Sequence, residues 1–140
     1  MANHEAPRDL DTTAFTEILR RLWRAYDGIV AAVFVDSEGE SIDYCSSIDP
    51  FEAKIAAATF MSIMQESILV SENLALGTGV VLTIRCEQRE FFIQRVSPDY
   101  LLVVVAGSEV PDAALRKAMD VTSEELRAEA DIETPSWDKN

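Results

Sequence analysis

The chain has 140 residues, 48% of them apolar, and a formal net charge of −13 at pH 7. That length suits one domain with a core large enough to need no disulfide or metal staple, and the apolar content excludes wholesale disorder. The acidic balance repels phosphate backbones and anionic lipid, so neither nucleic acid nor a membrane surface is an expected partner.

Met1–Leu10 is polar and charged and has no apolar stretch of the signal-peptide kind. No run approaches the ~18 uninterrupted apolar residues of a membrane span, and a cytoplasmic location is expected. Cys45 and Cys86 stand in no CxxC spacing and each sits in an apolar, strand-like run. They are expected as buried free thiols of a reducing compartment. The single histidine, His4, falls in a segment expected to be flexible. A His-based metal site or a Cys–His nucleophile is therefore not expected, nor is a cofactor. The organisation read from composition is a flexible N-terminus over 1–10, one folded domain over 11–130, and an acidic tail over 131–140. From Asp120 to the end there are seven acids against two bases. The tail is expected to be solvated, with Trp137 the residue able to dock on its own domain or on a partner.

The first helix is expected to start near Asp11 or Thr12, both suited to an N-cap. Phe15, Ile18, Leu19, Leu22, Trp23 and Tyr26 form its apolar stripe, and Gly28 is the expected terminator. Ile29–Val35 is an unbroken apolar run rich in β-branched residues, followed by the turn Asp36-Ser37-Glu38-Gly39 and a shorter, more polar strand over Ser41–Cys45. Asp49-Pro50-Phe51-Glu52 opens a central helix that runs to about Val70. A second hairpin follows, Gly79–Cys86 returning over Phe91–Val96. Tyr100–Ala106 is another wholly apolar strand, and Pro111 suits the first turn of a last helix. Thr122-Ser123-Glu124-Glu125 fits a capping box, predicting a break in that helix.

Five strands joined mainly by tight turns predict an antiparallel sheet with the two continuous apolar runs in its middle. A connection through the central helix gives the order 2-1-5-4-3. The fold class is therefore α+β, a single five-stranded antiparallel sheet sandwiched by helices in the order α-β-β-α-β-β-β-α.

The central helix carries the informative signal. One broad arc collects Ala53, Ala56, Ala57, Phe60, Met61, Ile63, Met64 and Ile68 and is expected to cover the sheet. Opposite it run Phe51, Ile55, Ala58, Ser62, Gln65 and Leu69, at spacings of 4, 3, 4, 3 and 4, a heptad seam. Glu52, Lys54, Thr59 and Glu66 border that seam, and its small middle residues allow another backbone to approach. The expectation is a helix–helix interface, most simply with a second copy in a two-fold dimer. The strand Gly79–Cys86 has no proline and few charges, so it lacks the usual protection against edge pairing. Val81, Thr83 and Arg85 join the candidate interface, with Arg85 the one residue that discourages uncontrolled association.

These pieces together resemble the Roadblock/dynein light-chain domain, in particular the bacterial MglB-type members that work with Ras-like small GTPases. The matching segments are Trp23-Arg24-Ala25-Tyr26-Asp27-Gly28 and Ile29–Val35, the turn at Asp36–Gly39, the Ala-rich helix Phe51–Leu69, and Leu76-Gly77-Thr78-Gly79 before the third strand. They span about residues 12–128. The resemblance implies a profilin-like homodimer with a continuous sheet and paired central helices, and a non-enzymatic adaptor or regulator of a polarity or motility module. The implied partner is the GTPase or another Roadblock dimer. Members that stimulate GTP hydrolysis do so by remodelling the GTPase, so no catalytic residue carries over. Ile55, Ala58, Thr59, Ser62, Glu66 and Leu69 map to the paired-helix face that helps form partner platforms.

Other chemistry is weaker. Gly77-Thr78-Gly79 has no following lysine and opens a strand, which fits a turn better than a phosphate cradle. Arg89, between glutamates, reads as a solvated turn residue, and Asp36, Glu38 and Glu40 lack calcium-loop spacing. The alternative function is a small-molecule sensor with a ligand between sheet and helix, for which Tyr44 and Cys45 are the polar candidates.

Overall fold

The computed structural model describes residues 4–138. The elements are α1 (Thr16–Ala25), β1 (Ile29–Asp36), β2 (Ser41–Ser46), α2 (Pro50–Asn73), β3 (Val81–Arg85), β4 (Glu90–Ser97), β5 (Tyr100–Ala106) and α3 (Asp112–Ala130), with a short 3₁₀ turn at Ser136–Asp138. One antiparallel sheet runs β2-β1-β5-β4-β3, the order that the hydrophobic pattern predicts. The two apolar runs lie at its centre because only central strands are covered on both faces; Val33 faces Val103 across β1 and β5, and Val103 faces Ile93 across β5 and β4.

Alternation along the strands divides the core in two. Ala32, Phe34, Phe92, Leu102 and Val104 pack against α1 and α3 through Leu19, Leu22, Leu115 and Leu126. Ala31, Val33, Ile93, Val103 and Val105 pack against α2 through Ala53, Ala57, Phe60, Met61 and Met64. The N-terminus of α2 forms as its sequence dictates: the Asp49 carboxylate accepts from the Phe51 N–H at 2.8 Å, with proline in the first turn. Its other end closes through Ala75 in the left-handed region, while the Leu76 N–H returns to the Ser71 carbonyl at 2.9 Å.

Several local expectations are corrected. α1 starts at Thr16 with no side-chain cap on its N-terminus, because the hydroxyls of Thr13 and Thr16 are drawn to the Asp43 carboxylate instead. α3 runs unbroken through Thr122, whose hydroxyl donates to the Ala118 carbonyl one turn back at 2.9 Å. Cys45 is buried, but Cys86 lies beyond the end of β3 and is exposed. Residues 5–10 lie along β2: the Ala6 N–H donates to the Ser46 carbonyl at 2.7 Å, and Arg8 reaches Asp43 at 2.6 Å.

The tail beyond α3 also folds back. Pro135 is buried, the Trp137 ring lies 4.6 Å from the Arg95 guanidinium, and Asp138 pairs with the buried Arg127 at 3.1 Å. Burial lowers the Arg95 pKa, an effect that Glu72 and Asp99 oppose, so the face of Trp137 supplies part of the electrostatic compensation that water would otherwise give. Trp137→Ala is expected to cost about 1–2 kcal/mol, read as a lower thermal midpoint; an unchanged midpoint would show that the Trp137–Arg95 contact contributes no stability.

Candidate interaction surface

A helix whose backbone is fully bonded still has to cover its apolar side chains, and α2 covers only part of its own. Phe51, Ile55 and Leu69 are 67%, 52% and 54% exposed. Ala58, Thr59, Ser62, Gln65 and Glu66 are exposed as well. The sequence-derived seam is thus brought together on one face of α2. By length and composition α2 could also cross a membrane, but its opposite side is seated on the sheet.

Three contacts orient the helix. The Lys54 ammonium reaches Asp9 at 2.6 Å, Ala58 lies over Gly39 of the β1–β2 turn, and the Gln65 amide donates to the Ser37 carbonyl at 2.9 Å. Gly39, at φ +86°, is suited to this turn both by its left-handed backbone and by the absence of a side chain that would press on Ala58. The flank holding Lys54, Ala58 and Gln65 therefore faces the β1–β2 side. With about 100° per residue, the other flank carries Glu52, Ala56, Thr59, Ile63, Glu66 and Val70. It overlooks the β4–β3 side, where Phe60 stacks on Phe91 at 4.5 Å.

Ile63 corrects the expectation that it faces the sheet: it is 37% exposed. Val70 is 54% exposed, and with Ile63, Glu66 and Ser67 it lines an open groove of about 400 Å³. The physical reason is coverage. α2 seats on the half of the sheet built from β1, β2 and β5, so the flank over the remaining strands has no floor of its own. Leu74 and Leu76 extend the apolar surface beyond the helix, at 63% and 73% exposure. Val70, Leu74 and Leu76 were missed as surface residues; for Val70 a signal existed, since Glu52, Ala56, Thr59, Ile63, Glu66 and Val70 form a second 4-3-4-3-4 series in the sequence.

β3 is the sheet edge on the side that this flank overlooks. Val80 accepts from the Arg95 N–H at 2.9 Å, and the Cys86 N–H donates to Arg89 at 2.8 Å. Antiparallel ladders alternate, so even-numbered residues of β3 bond inward to β4 while Val81, Thr83 and Arg85 turn their backbone groups outward. The side chains of Thr83 and Arg85 have partners within the chain: Thr83 accepts from Arg116, and Arg85 pairs with Glu90 at 2.7 Å and Asp112 at 3.6 Å. What β3 presents to another molecule is therefore chiefly its backbone, with the half-exposed Val81 side chain beside it.

The polar candidates for a ligand site do not converge. Cys45 points into the α1–α3 core and Tyr44 into the α2 core, on opposite faces of the sheet. The Cys45 thiol is pushed up to about 12 by burial, with Glu5 adding to the effect, which keeps it a neutral thiol. The Tyr44 hydroxyl is already engaged, donating to the Asp9 carboxylate and accepting from the Asp9 N–H. Asp36 caps its own turn, accepting from the N–H groups of Glu38 and Glu40 at 2.9 and 3.0 Å.

No protein-family model matches the sequence, and no curated protein matches it. Solved structures do. A Roadblock/LC7 domain from Streptomyces avermitilis superposes with a TM-score of 0.76 at 18% identity, covering 88% of this chain and 98% of that one. MglB of Myxococcus xanthus gives a TM-score of 0.78 at 13% identity, covering 87% and 98%. An MglB with a tetrameric arrangement gives 0.74 at 15% identity, covering 88% and 95%. The α+β layering and the strand order β2-β1-β5-β4-β3 are those of the Roadblock/LC7 fold, and this chain adopts it.

Proposed function

We propose that the chain is a non-enzymatic, cytoplasmic homodimeric adaptor that regulates a bacterial Ras-like small GTPase module of cell polarity or motility. It binds the GTPase or a related Roadblock dimer. The observation that carries this reading is the continuity of two unsatisfied surfaces, the exposed apolar faces of α2 and the outward backbone of β3. A second copy related by a two-fold axis answers both. Its β3 extends the sheet, and its α2 lies beside the first over the uncovered half.

The flank series is self-complementary in an antiparallel pair. Glu52 opposes Val70, Ala56 opposes Glu66, and Thr59 opposes Ile63, so Ile63 finds cover near the axis and Val70 at the ends of the contact. Burying large aliphatic side chains contributes about 1.5–3 kcal/mol each. The crest residues Phe51, Ile55, Ser62 and Leu69 then remain on the outer side of the helix pair as a platform for the partner. The tetrameric arrangement of one MglB structure is an assembly of the kind such a platform permits. The adaptor needs no catalytic group of its own, since a docked surface alters a GTPase by favouring one of its conformations.

Two assays test the proposal. GTP turnover by the Ras-like GTPases of the source organism, measured with and without this chain, is expected to change several-fold. Purified Roadblock proteins of the same organism are expected to co-elute with it if the GTPases do not respond. Failure of both would overturn the adaptor reading.

A further inference from the structure

The sheet has two edges, and the chain treats them differently. Immediately after β2 the Ser47 N–H donates inward to Val30 at 2.9 Å, so by the same alternation the backbone groups of Tyr44 and Ser46 face outward. Three of these outward groups have partners. The Ser46 carbonyl accepts from the Ala6 N–H at 2.7 Å, the Tyr44 carbonyl accepts from Arg8 Nη1 at 2.6 Å, and the Tyr44 N–H donates to the Asp43 carboxylate at 2.7 Å. The N-terminal segment, which supplies the first two of these partners, is fastened on both sides. Glu5 receives both Nε and Nη2 of Arg20 at 3.1 Å, tying it to α1, and Asp9 receives Lys54, tying it to α2. Arg8 also lies over the Tyr44 ring at 4.8 Å.

We propose that residues 5–10 are an edge guard: they occupy the β2 edge and so restrict sheet-edge association between copies to β3. A molecule with two free edges can add a copy at each, and such contacts grow into open chains unless their rotation closes a ring. One sealed edge and one open edge give a finite pair. The occupant of the β2 edge is this chain's own N-terminal segment, and a second copy takes that edge when the segment is removed. The finite-pair consequence rests on the reading of β3 as the dimer edge; the sealing of β2 does not.

The test compares the full chain with a variant lacking residues 1–10, by sedimentation velocity over a wide concentration range, with circular dichroism to establish folding. The full chain is expected to hold one mass. The shortened chain is expected to form species that grow with concentration, roughly a doubling or more of the mass average, and a synthetic peptide of residues 4–12 is expected to reverse the growth. A folded shortened chain that keeps the full-length mass at every concentration overturns the proposal. Should the deletion not fold, Ala6→Pro with Arg8→Ala in the full chain removes both donors to the edge and is read the same way. A full-length chain that is monomeric would sink the β3 dimer while leaving the guard to be judged by the variant's gain in mass.

Discussion

Asp43→Ala is expected to destabilise the fold by about 3–5 kcal/mol, the scale for removing one partner of a buried charged pair. Asp43 is fully buried, and its carboxylate accepts from Arg8 at 2.6 Å, Thr13 at 2.6 Å, the Tyr44 N–H at 2.7 Å, and Thr16. Alanine leaves Arg8 Nη2, two hydroxyls and the Tyr44 N–H without their acceptor, and it removes one of the ties between the N-terminal segment and β2. Burial pulls the Asp43 pKa up, but the donors from Thr13, Thr16, Arg8 and Tyr44 overcome it and hold the carboxyl below its ordinary value. A carboxyl with a depressed folded-state pKa stabilises fully above its unfolded value, near 4, and the contribution is lost as pH falls through the folded value. Wild-type stability is therefore expected to hold down to about pH 4 and fall below it. Asp43→Asn should be less stable at neutral pH and lose part of that acid dependence. Urea unfolding at several pH values measures both; a wild-type-like midpoint for Asp43→Ala would show that the cluster stabilises little.

That cluster was not legible in the sequence, whereas the sheet was. Ile29–Val35 and Tyr100–Ala106 need cover on both faces, a local property of each run that assigns them to the centre and leaves the strand order little freedom. Asp43 reads locally as one polar residue in a polar edge strand; its partners lie some thirty residues away with no period linking them. Thr122 had the right neighbours for a cap, but a hydroxyl can equally bond back along an unbroken helix, and packing of Leu126 in the core decides for the latter. The seam on α2 was legible because every member sits on one exposed face. Ile63 was misassigned because periodicity gives a side chain's direction but not how far the sheet beneath it extends. The same limit hid Val70.

The double substitution Ile63→Glu with Val70→Glu is expected to convert the dimer to a monomer, whereas Ile55→Asp with Leu69→Asp is expected to keep the dimer and lose the partner. Both pairs are exposed, so neither strains the fold, and all four residues project from one helix. What separates them is direction. Ile63 and Val70 overlook the side of the β3 edge, where a copy joined by backbone pairing must place its own α2; charges there meet like charges across a two-fold axis while being desolvated, a cost of several kcal/mol. Ile55 and Leu69 point away from the sheet, where an added charge stays in water as long as only the dimer forms. Light scattering reads the first effect, and GTPase response or co-elution with a Roadblock partner reads the second. Should Ile55→Asp with Leu69→Asp give the monomer and Ile63→Glu with Val70→Glu the dimer, the two copies meet along the crest, and the open flank over β3 is left for the partner. If neither pair changes the mass, α2 is not the dimer contact, and the bare backbone of Val81, Thr83 and Arg85 must hold the copies together alone.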